Sequence, residues 1–265
     1  MPPVRSVPFT KASACGNDFL IIDAVHRPSD AAGFTGRICD RHNGIGADGV
    51  EWVSATPAAD IEAQLINADG SPAEISGNGT RCVAAYWLAK QSTSPAMVRV
   101  LTGAGIKECR PTGGATPQFE FEMKIGVPEI LGELELDMPT GKVKGLNIWM
   151  GNPQFVVFVE HFDFHWQVRG AVIQSQSAFP EGTNVDFVRI LGPHEIESRF
   201  FERGAGETQS SGTGSCASAV AAIHAKGVMS PVTVKAPGGS QIVRWHNDIY
   251  LQGPARLVGE GQFFI

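Results

Sequence analysis

Two short strings in this chain combine a serine with glycines at the spacing that opens a helix: Ser76-Gly77-Asn78-Gly79-Thr80 and Ser211-Gly212-Thr213-Gly214-Ser215. Such a turn leaves backbone N–H groups unpaired, presents the positive end of a helix dipole, and lets a ligand approach a backbone that carries no Cβ. It suits an anion. One turn of this kind is ordinarily an N-cap and nothing more, since serine is a favoured cap whatever the chemistry. Two in matching contexts can serve a carboxylate or an enolate-like carbanion held between two helix dipoles. Glu202-Arg203 adds a titratable carboxylate and a guanidinium fork able to grip two carboxylate oxygens; a structural ion pair is the plainer reading of those two. A third glycine string, Gly44-Ile45-Gly46-Ala47-Asp48-Gly49, fits the Gly-x-Gly-x-x-Gly pattern of dinucleotide-binding folds. Residues 36–42 before it read as helix and 50–54 after it as strand, the reverse of the order that pattern needs, so it reads as a helix-to-strand turn.

The two serine turns are separated by 135 residues, the step from Ser76 to Ser211, and other segments repeat at the same offset. Gly16-Asn17 falls on Gly151-Asn152, Gly49-Val50-Glu51-Trp52-Val53 on Asn184-Val185-Asp186-Phe187-Val188, and Ile61-Glu62 on Ile196-Glu197. Glycine strings recur by accident in a glycine-rich chain, but several matches at one offset without a gap indicate a duplication. We expect two homologous lobes, residues 1–130 and 131–265. If the lobes face each other about a pseudo-two-fold axis, Ser76 and Ser211 approach one ligand from opposite sides. Within each lobe the pattern is strand-rich with one main helix. Residues 19–22, 63–66, 97–101, 119–124, 155–159, 185–190, 232–235 and 249–252 are short, β-branched or alternating, and bounded by Gly, Pro or Asn, as strands are. Residues 81–90 and 216–226 are alanine-rich with helical apolar spacing, each just after a serine turn.

Bulk properties narrow the function classes. The chain has 265 residues, 43% of them hydrophobic, and a formal net charge of −6 with no lysine or arginine block, so neither nucleic acid nor an anionic membrane is an expected partner. A small neutral or zwitterionic ligand is compatible. Residues 1–10 carry no signal-peptide pattern and no window has the length of a membrane span, from which we expect a cytoplasmic protein. Five cysteines with no Cys-x-x-Cys spacing, and a single His161/His165 pair at i, i+4, favour neither a disulfide framework nor a metal site.

Lys11, Gly16-Asn17-Asp18-Phe19, Asp40-Arg41-His42, Asn67-Ala68-Asp69-Gly70-Ser71 and Gly77-Asn78-Gly79-Thr80-Arg81-Cys82 resemble the first lobe of diaminopimelate epimerases. Met150-Gly151-Asn152-Pro153, Asn184, the highly specific Glu202-Arg203-Gly204-Ala205-Gly206-Glu207-Thr208, Gly212-Thr213-Gly214 and Pro237-Gly238-Gly239 resemble the second lobe, in the same order. The resemblance spans essentially the whole chain. It implies an α+β fold of two pseudo-symmetric lobes, each an antiparallel β-barrel-like sheet around a central helix, and a cofactor-independent amino-acid epimerase or racemase moving a proton at the α-carbon in the cleft between lobes. It further implies that Asn17, Asn67, Asn152, Asn184, Glu202 and Arg203 hold the substrate's charged groups, and that the Gly77-Asn78 and Gly212-Thr213 turns receive its α-carboxylate. No metal or cofactor is implied. A homodimer is left open.

The sequence departs from the family where its chemistry is concentrated. The two positions at which the family carries catalytic cysteines are Ser76 and Ser211. A thiol titrates at about 8.5 and an alcohol nearer water, at about 15.7, a gap on the order of 10 kcal/mol. A serine therefore needs a neighbour that takes its proton. The family's supporting histidine on the first-lobe side is Gln154 here, Glu202 stands at the second supporting position, and Gly49 replaces a glutamine at the distal end of the substrate. Three functions stay open: epimerisation with Ser76, Ser211 and Glu202 in the catalytic places and further bases drawn from Asp69, Glu74, Cys15 or Cys82; a one-base lyase or double-bond isomerase of an amino acid or related acid; and a silent amino-acid binder.

Overall fold

The computed structural model describes residues 6–93, 95–139 and 141–265; residues 1–5 of the N-terminal stretch lie outside them. The chain divides into two compact units, Met1–Met123 with Gly253–Ile265, and Lys124–Gln252. The first contains β1 (Ser6–Ala14), β2 (Asn17–Asp23), α1 (Ala31–Cys39), β3 (Gly49–Ser54), β4 (Ile61–Asn67), β5 (Pro72–Ala73), α2 (Gly77–Leu88), β6 (Val98–Thr102), β7 (Gly105–Ala115) and β8 (Gln118–Gly126, its last residues past the division). The second contains β9 (Glu129–Met138), β10 (Gly141–Trp149), β11 (Pro153–Phe158), α3 (Trp166–Gln174), β12 (Asn184–Gly192), β13 (Glu195–Glu202), β14 (Gly206–Thr208), α4 (Gly212–Lys226), β15 (Val232–Ala236), β16 (Gly239–Trp245) and the start of β17 (Ile249–Phe264), whose remainder belongs to the first unit.

The duplication is visible in the strand pairing. In the first unit β2 runs parallel to β3, β3 antiparallel to β4, β4 parallel to β6, and β6 antiparallel to β7. In the second unit β11, β12, β13, β15 and β16 repeat the same sequence of pairings. Register follows: Val50 pairs with Ile66, and Val185 with Phe201, both partners shifted by the same 135 positions. In the first unit the end of β17 pairs with β1, and β8 with β17, which closes eight strands into a barrel. Most neighbours are antiparallel as the resemblance implies. Each unit adds two parallel pairs, because a helix or long loop crosses over between those strands.

Helix α4 is buried from Gly214 to Ala222 without interruption, and α2 from Asn78 to Ala85. A helix buried all round needs small side chains so that strands can approach from every side, and the alanines, serines and glycines here supply them. Around α4 pack Val188, Ile196, Val234, Val243 and Leu251; the outer face of β3 packs Val50 and Trp52 against Phe34 and Ile38 of α1. Each such fully buried side chain contributes roughly 1.5–3 kcal/mol. Both central helices begin earlier than alanine spacing predicts, at Gly77 and Gly212, so the glycine turns are themselves the first helical turns. Glycine is a poor helix former, and it is the serine cap rather than propensity that starts them. Helix α1 likewise starts before the expected 36–42, capped by Asp30 Oδ1 accepting from Gly33 N at 2.9 Å, and stops at Asp40, whose carboxylate takes the N–H groups of His42 and Asn43. Gly44–Gly49 is a helix-to-strand connection, as its order requires. Among the described residues no helix is long and apolar enough to cross a membrane.

Candidate active site

In the first unit Ser76 sits in extended backbone, and its Oγ accepts from Gly79 N at 3.0 Å, capping α2. Asn78, on the first turn, is buried; its Nδ2 donates to Asn17 Oδ1 at 2.6 Å, and Arg81 Nη2 donates to its Oδ1. Asn17 Nδ2 in turn donates to Asp48 Oδ2 at 3.1 Å. The amides of Asn17 and Asn78 are thus fixed by charged neighbours: Arg41 reaches both Asp48 (2.7 Å) and Asp18 (2.8 Å), and Lys11 reaches Asp18 at 2.9 Å. Burial pushes the Asp18 carboxyl up, but the hydrogen bonds from Arg41 and Lys11 outweigh it and hold it below the usual range. Arg81 is fully buried; its Nε donates to Pro254 O at 3.3 Å and its Nη1 has no partner. Cys15, just before Gly16-Asn17, adopts a left-handed φ of 50°, rare for a residue other than glycine. Asn67 is not drawn into this network by its own contacts, its Nδ2 donating to Ser71 Oγ in the adjacent turn at 3.1 Å. A Cβ at Gly77 would meet nothing within 4 Å, so that side of the turn is open to a ligand.

The second unit builds the corresponding half-site with different side chains. Ser211 Oγ accepts from Gly214 N at 3.1 Å and caps α4. Gln154 Nε2 donates to Asn152 Oδ1 at 2.8 Å and to Thr213 Oγ1 at 3.1 Å, and Asn152 Nδ2 to Thr213 Oγ1 at 3.3 Å, while the buried Gln154 Oε1 has no partner. Gln154, which takes no proton, therefore orients the Gly212-Thr213 turn. Asn184 ties Pro153 O to the backbone of Arg203 (3.0 and 2.8 Å), and Arg203 Nη1 donates to Glu181 O at 3.0 Å from an exposed side chain. Burial pushes the Glu202 carboxyl up, and the hydroxyls of Ser211 and Thr208 pull the other way. Thr208 Oγ1 makes no hydrogen bond of ordinary geometry, so its pull is that of a nearby dipole. The Glu202 carboxyl is thus near enough to the Ser211 hydroxyl to feel it while burial disfavours its charge.

Of the other bases open from the sequence, the thiols lie in the core. Cys15 and Cys82 are buried, and desolvation raises both thiols above their ordinary range. Asp69 is exposed and held low by the Ser71 hydroxyl and backbone; Glu74 is exposed. Two carboxylates were missed altogether. Glu51 of β3 is 3% exposed, with burial pushing it up to about 8, and Asp186 of β12 is 1% exposed and raised by burial and by Glu202. Their signal was present in the repeat, where an acid interrupts two otherwise apolar strands at matched positions. At Gly49 an added Cβ would lie 2.7 Å from Ile66 O, so the backbone is closely covered there. Among the described residues no group of three or more His, Cys, Asp or Glu is arranged to hold a metal ion.

Comparison with known proteins bears on the family and the fold. The diaminopimelate epimerase family model matches residues 9–124 and 146–258, a two-part match that mirrors the duplication. A diaminopimelate epimerase of Pelotomaculum thermopropionicum is 37% identical over 276 residues, covering 96% of this chain and 98% of the relative; one of Desulforudis audaxviator is 34% identical over 274 residues, with the same coverage. Among solved structures, a phenazine biosynthesis protein of the PhzF family from Bacillus anthracis superposes with a TM-score of 0.72 at 16% identity, over 98% of this chain and 100% of that one. A hydroxyproline epimerase from Agrobacterium vitis does so with a TM-score of 0.70 at 14% identity, over 98% and 91%. The structural likenesses show the fold, the sequence likenesses more: the chain belongs to the diaminopimelate epimerase family.

Proposed function

We propose that this protein is a PLP-independent epimerase that exchanges the α-proton of diaminopimelate or a closely related amino acid. The family match over residues 9–124 and 146–258 carries the reading, and the influence of the Ser211 hydroxyl on the Glu202 carboxyl supports it. An alcohol is a useful base only when a neighbour accepts its proton as it takes one from carbon, and Glu202 is the carboxylate on which the Ser211 hydroxyl acts. The carbanion left at the α-carbon would be stabilised by the N–H groups and dipole of the helix start. Asn17, Asn78, Asn152, Asn184 and Thr213, each oriented by the hydrogen bonds described above, would hold the ammonium and carboxylate groups, and Arg203 a carboxylate. This reading carries a cytoplasmic location with it, and a homodimer is to be tested by sedimentation.

A second reading is favoured by one observation. The position matching Glu202 in the first unit is Asn67, which takes no proton, so a chemistry needing one effective base, an elimination or double-bond shift, suits the visible asymmetry. Proton NMR in D₂O with L,L- and meso-diaminopimelate and a panel of other amino acids separates the two. Loss of the α-proton signal with inversion is the expected result. Exchange or product formation without inversion supports the one-base reading, and no exchange despite measured binding would leave the protein a binder and sink both.

A further inference from the structure

The hydrogen bonds around Asn17 and Asn78 form one chain with a direction. Arg81 Nη2 donates to Asn78 Oδ1, Asn78 Nδ2 to Asn17 Oδ1 at 2.6 Å, and Asn17 Nδ2 to Asp48 Oδ2 at 3.1 Å. A guanidinium can only donate and an ionised carboxylate can only accept, whereas a carboxamide does either according to which way it is turned. Turning over either amide would set donor against donor at one contact and acceptor against acceptor at the other. The two charged ends therefore decide how both amides lie. The Asp48 end is anchored, gripped by Arg41 at 2.7 Å and accepting from Asp18 N at 3.1 Å. The Arg81 end is fully buried: Nε donates to Pro254 O at 3.3 Å, Nη2 also to Cys15 Sγ at 3.9 Å, and Nη1 has no partner. Among the described residues no carboxylate forms an ion pair with it, and Glu120 only feels its charge. A buried cation without a counter-ion is costly, and a side chain needed only to fill that space would do so as leucine or methionine. The duplicate half-site changes both ends together. At the offset of 135 residues Asp48 falls on Thr183 and Arg81 on Cys216, neither a carboxylate nor a guanidinium, while Asn17 falls on Asn152 and Asn78 on Thr213. There Gln154 Nε2 bonds Asn152 Oδ1 and Thr213 Oγ1 itself.

Resting on the epimerase reading, we propose that Arg81 is a positioning residue of the first half-site, which acts through Asn78 to set the carboxamide of Asn17 in the orientation that binds substrate. Asn17 uses one Nδ2 hydrogen and one Oδ1 lone pair on the chain; the other hydrogen and lone pair serve a ligand, at places set from the two ends. Without Arg81 the Asn78 amide can turn over, and Asn17 then loses the donor that aligns its oxygen. The effect falls on substrate binding, since neither amide exchanges a proton with carbon.

The test is calorimetric binding and steady-state epimerisation of L,L-diaminopimelate by wild type, Arg81→Met, Arg81→Lys, Asp48→Asn and the double variant of Arg81→Met with Asp48→Asn. Arg81→Met, which fills the space with apolar atoms, is expected to raise Kd and KM about tenfold or more with kcat changed much less. Arg81→Lys, still able to donate to Asn78 Oδ1, should recover part of the loss. Arg81 and Asp48 share no hydrogen bond or ion pair among the described residues, yet the double variant should lose much less than the product of the two single losses, because both ends pin the same amides. The side-chain amide signals of Asn17 in proton–nitrogen NMR spectra report the chain directly. They should move in Arg81→Lys, the milder change that decides the matter if Arg81→Met does not fold. Wild-type Kd and KM in folded Arg81→Met, single losses that simply multiply, or Asn17 signals that stay in place in Arg81→Lys overturns this inference and leaves the epimerase reading standing. A wild type without exchange activity overturns the epimerase reading, and the inference with it.

Discussion

The two units were built by copying one plan, and their half-sites differ at one informative position. Strand for strand and register for register they agree, down to Val50–Ile66 and Val185–Phe201. At the helix start both present a capping serine and both keep a buried acid under the second glycine. Where the second unit sets Glu202 beside its serine, the first sets Asn67, bonded to Ser71. Duplicated folds preserve what holds the backbone and let the titratable groups drift. In the second half-site the charge of Glu202 adds to burial in raising the Asp186 carboxyl, as like charges do.

The largest effect expected from breaking this comparison is at Glu202. Glu202→Gln should slow α-proton exchange by about 10²–10⁴ while diaminopimelate binding, measured by calorimetry, changes far less; Asn67→Ala, its first-unit counterpart, should affect binding more than turnover. Equal kinetic losses at both would erase the distinction between the half-sites.

Stability gives the next effect, with opposite sign. The Glu51 carboxyl is held at about 8 in the folded protein, against about 4.3 unfolded. Between those values the folded chain keeps a proton that the unfolded chain has released, so this group's contribution falls as pH rises through the window and levels off above it. Glu51→Leu should therefore raise stability at pH 8 by on the order of a few kcal/mol, several degrees in Tm, with the gain shrinking toward pH 4. Thermal melts across pH check it, and a gain independent of pH would show that the carboxyl ionises freely in the fold.

The smallest effect compares the two glycines. Gly79→Ala should cost roughly 1–3 kcal/mol by overpacking, relieved in large part by Glu51→Ala because the obstruction is that carboxylate. Gly214→Ala should cost a similar amount but be relieved less by Asp186→Ala, since Phe200 Cδ1 also stands 2.8 Å from the added atom. Chemical denaturation of the two double-mutant cycles reads the difference; identical coupling energies would mean that both sites relax alike.

Much of this was legible in one dimension. The offset of 135 residues, the serine turns, the helix-to-strand reading of Gly44–Gly49 and the family string around Glu202-Arg203 all rest on local spacing, and spacing survives without coordinates. Helix starts were misplaced by four residues because glycine content argues against a helix while the cap that overrides it is a side-chain contact. The parallel pairs within each unit escaped notice although β2, β3, β11 and β12 are continuously buried runs, because a short apolar run reads equally as a strand of either sense or as a piece of buried helix. Glu51 and Asp186 escaped because an acid on a strand reads as a solvent-facing residue until the helix that covers it is known.

By itself, then, the amino-acid sequence determined the duplication, the family and the identity of the residues at each helix start, because backbone geometry depends on glycine, serine and proline at fixed separations. Only the tertiary structure decided how readily each titratable group ionises. Ionisation depends on what surrounds a group in space: burial raises the Cys15 and Cys82 thiols, Arg41 and Lys11 hold the Asp18 carboxyl low, and desolvation raises Glu202 and Glu51. Neighbours of that kind come from strands and helices far apart in the chain, and no local pattern records them.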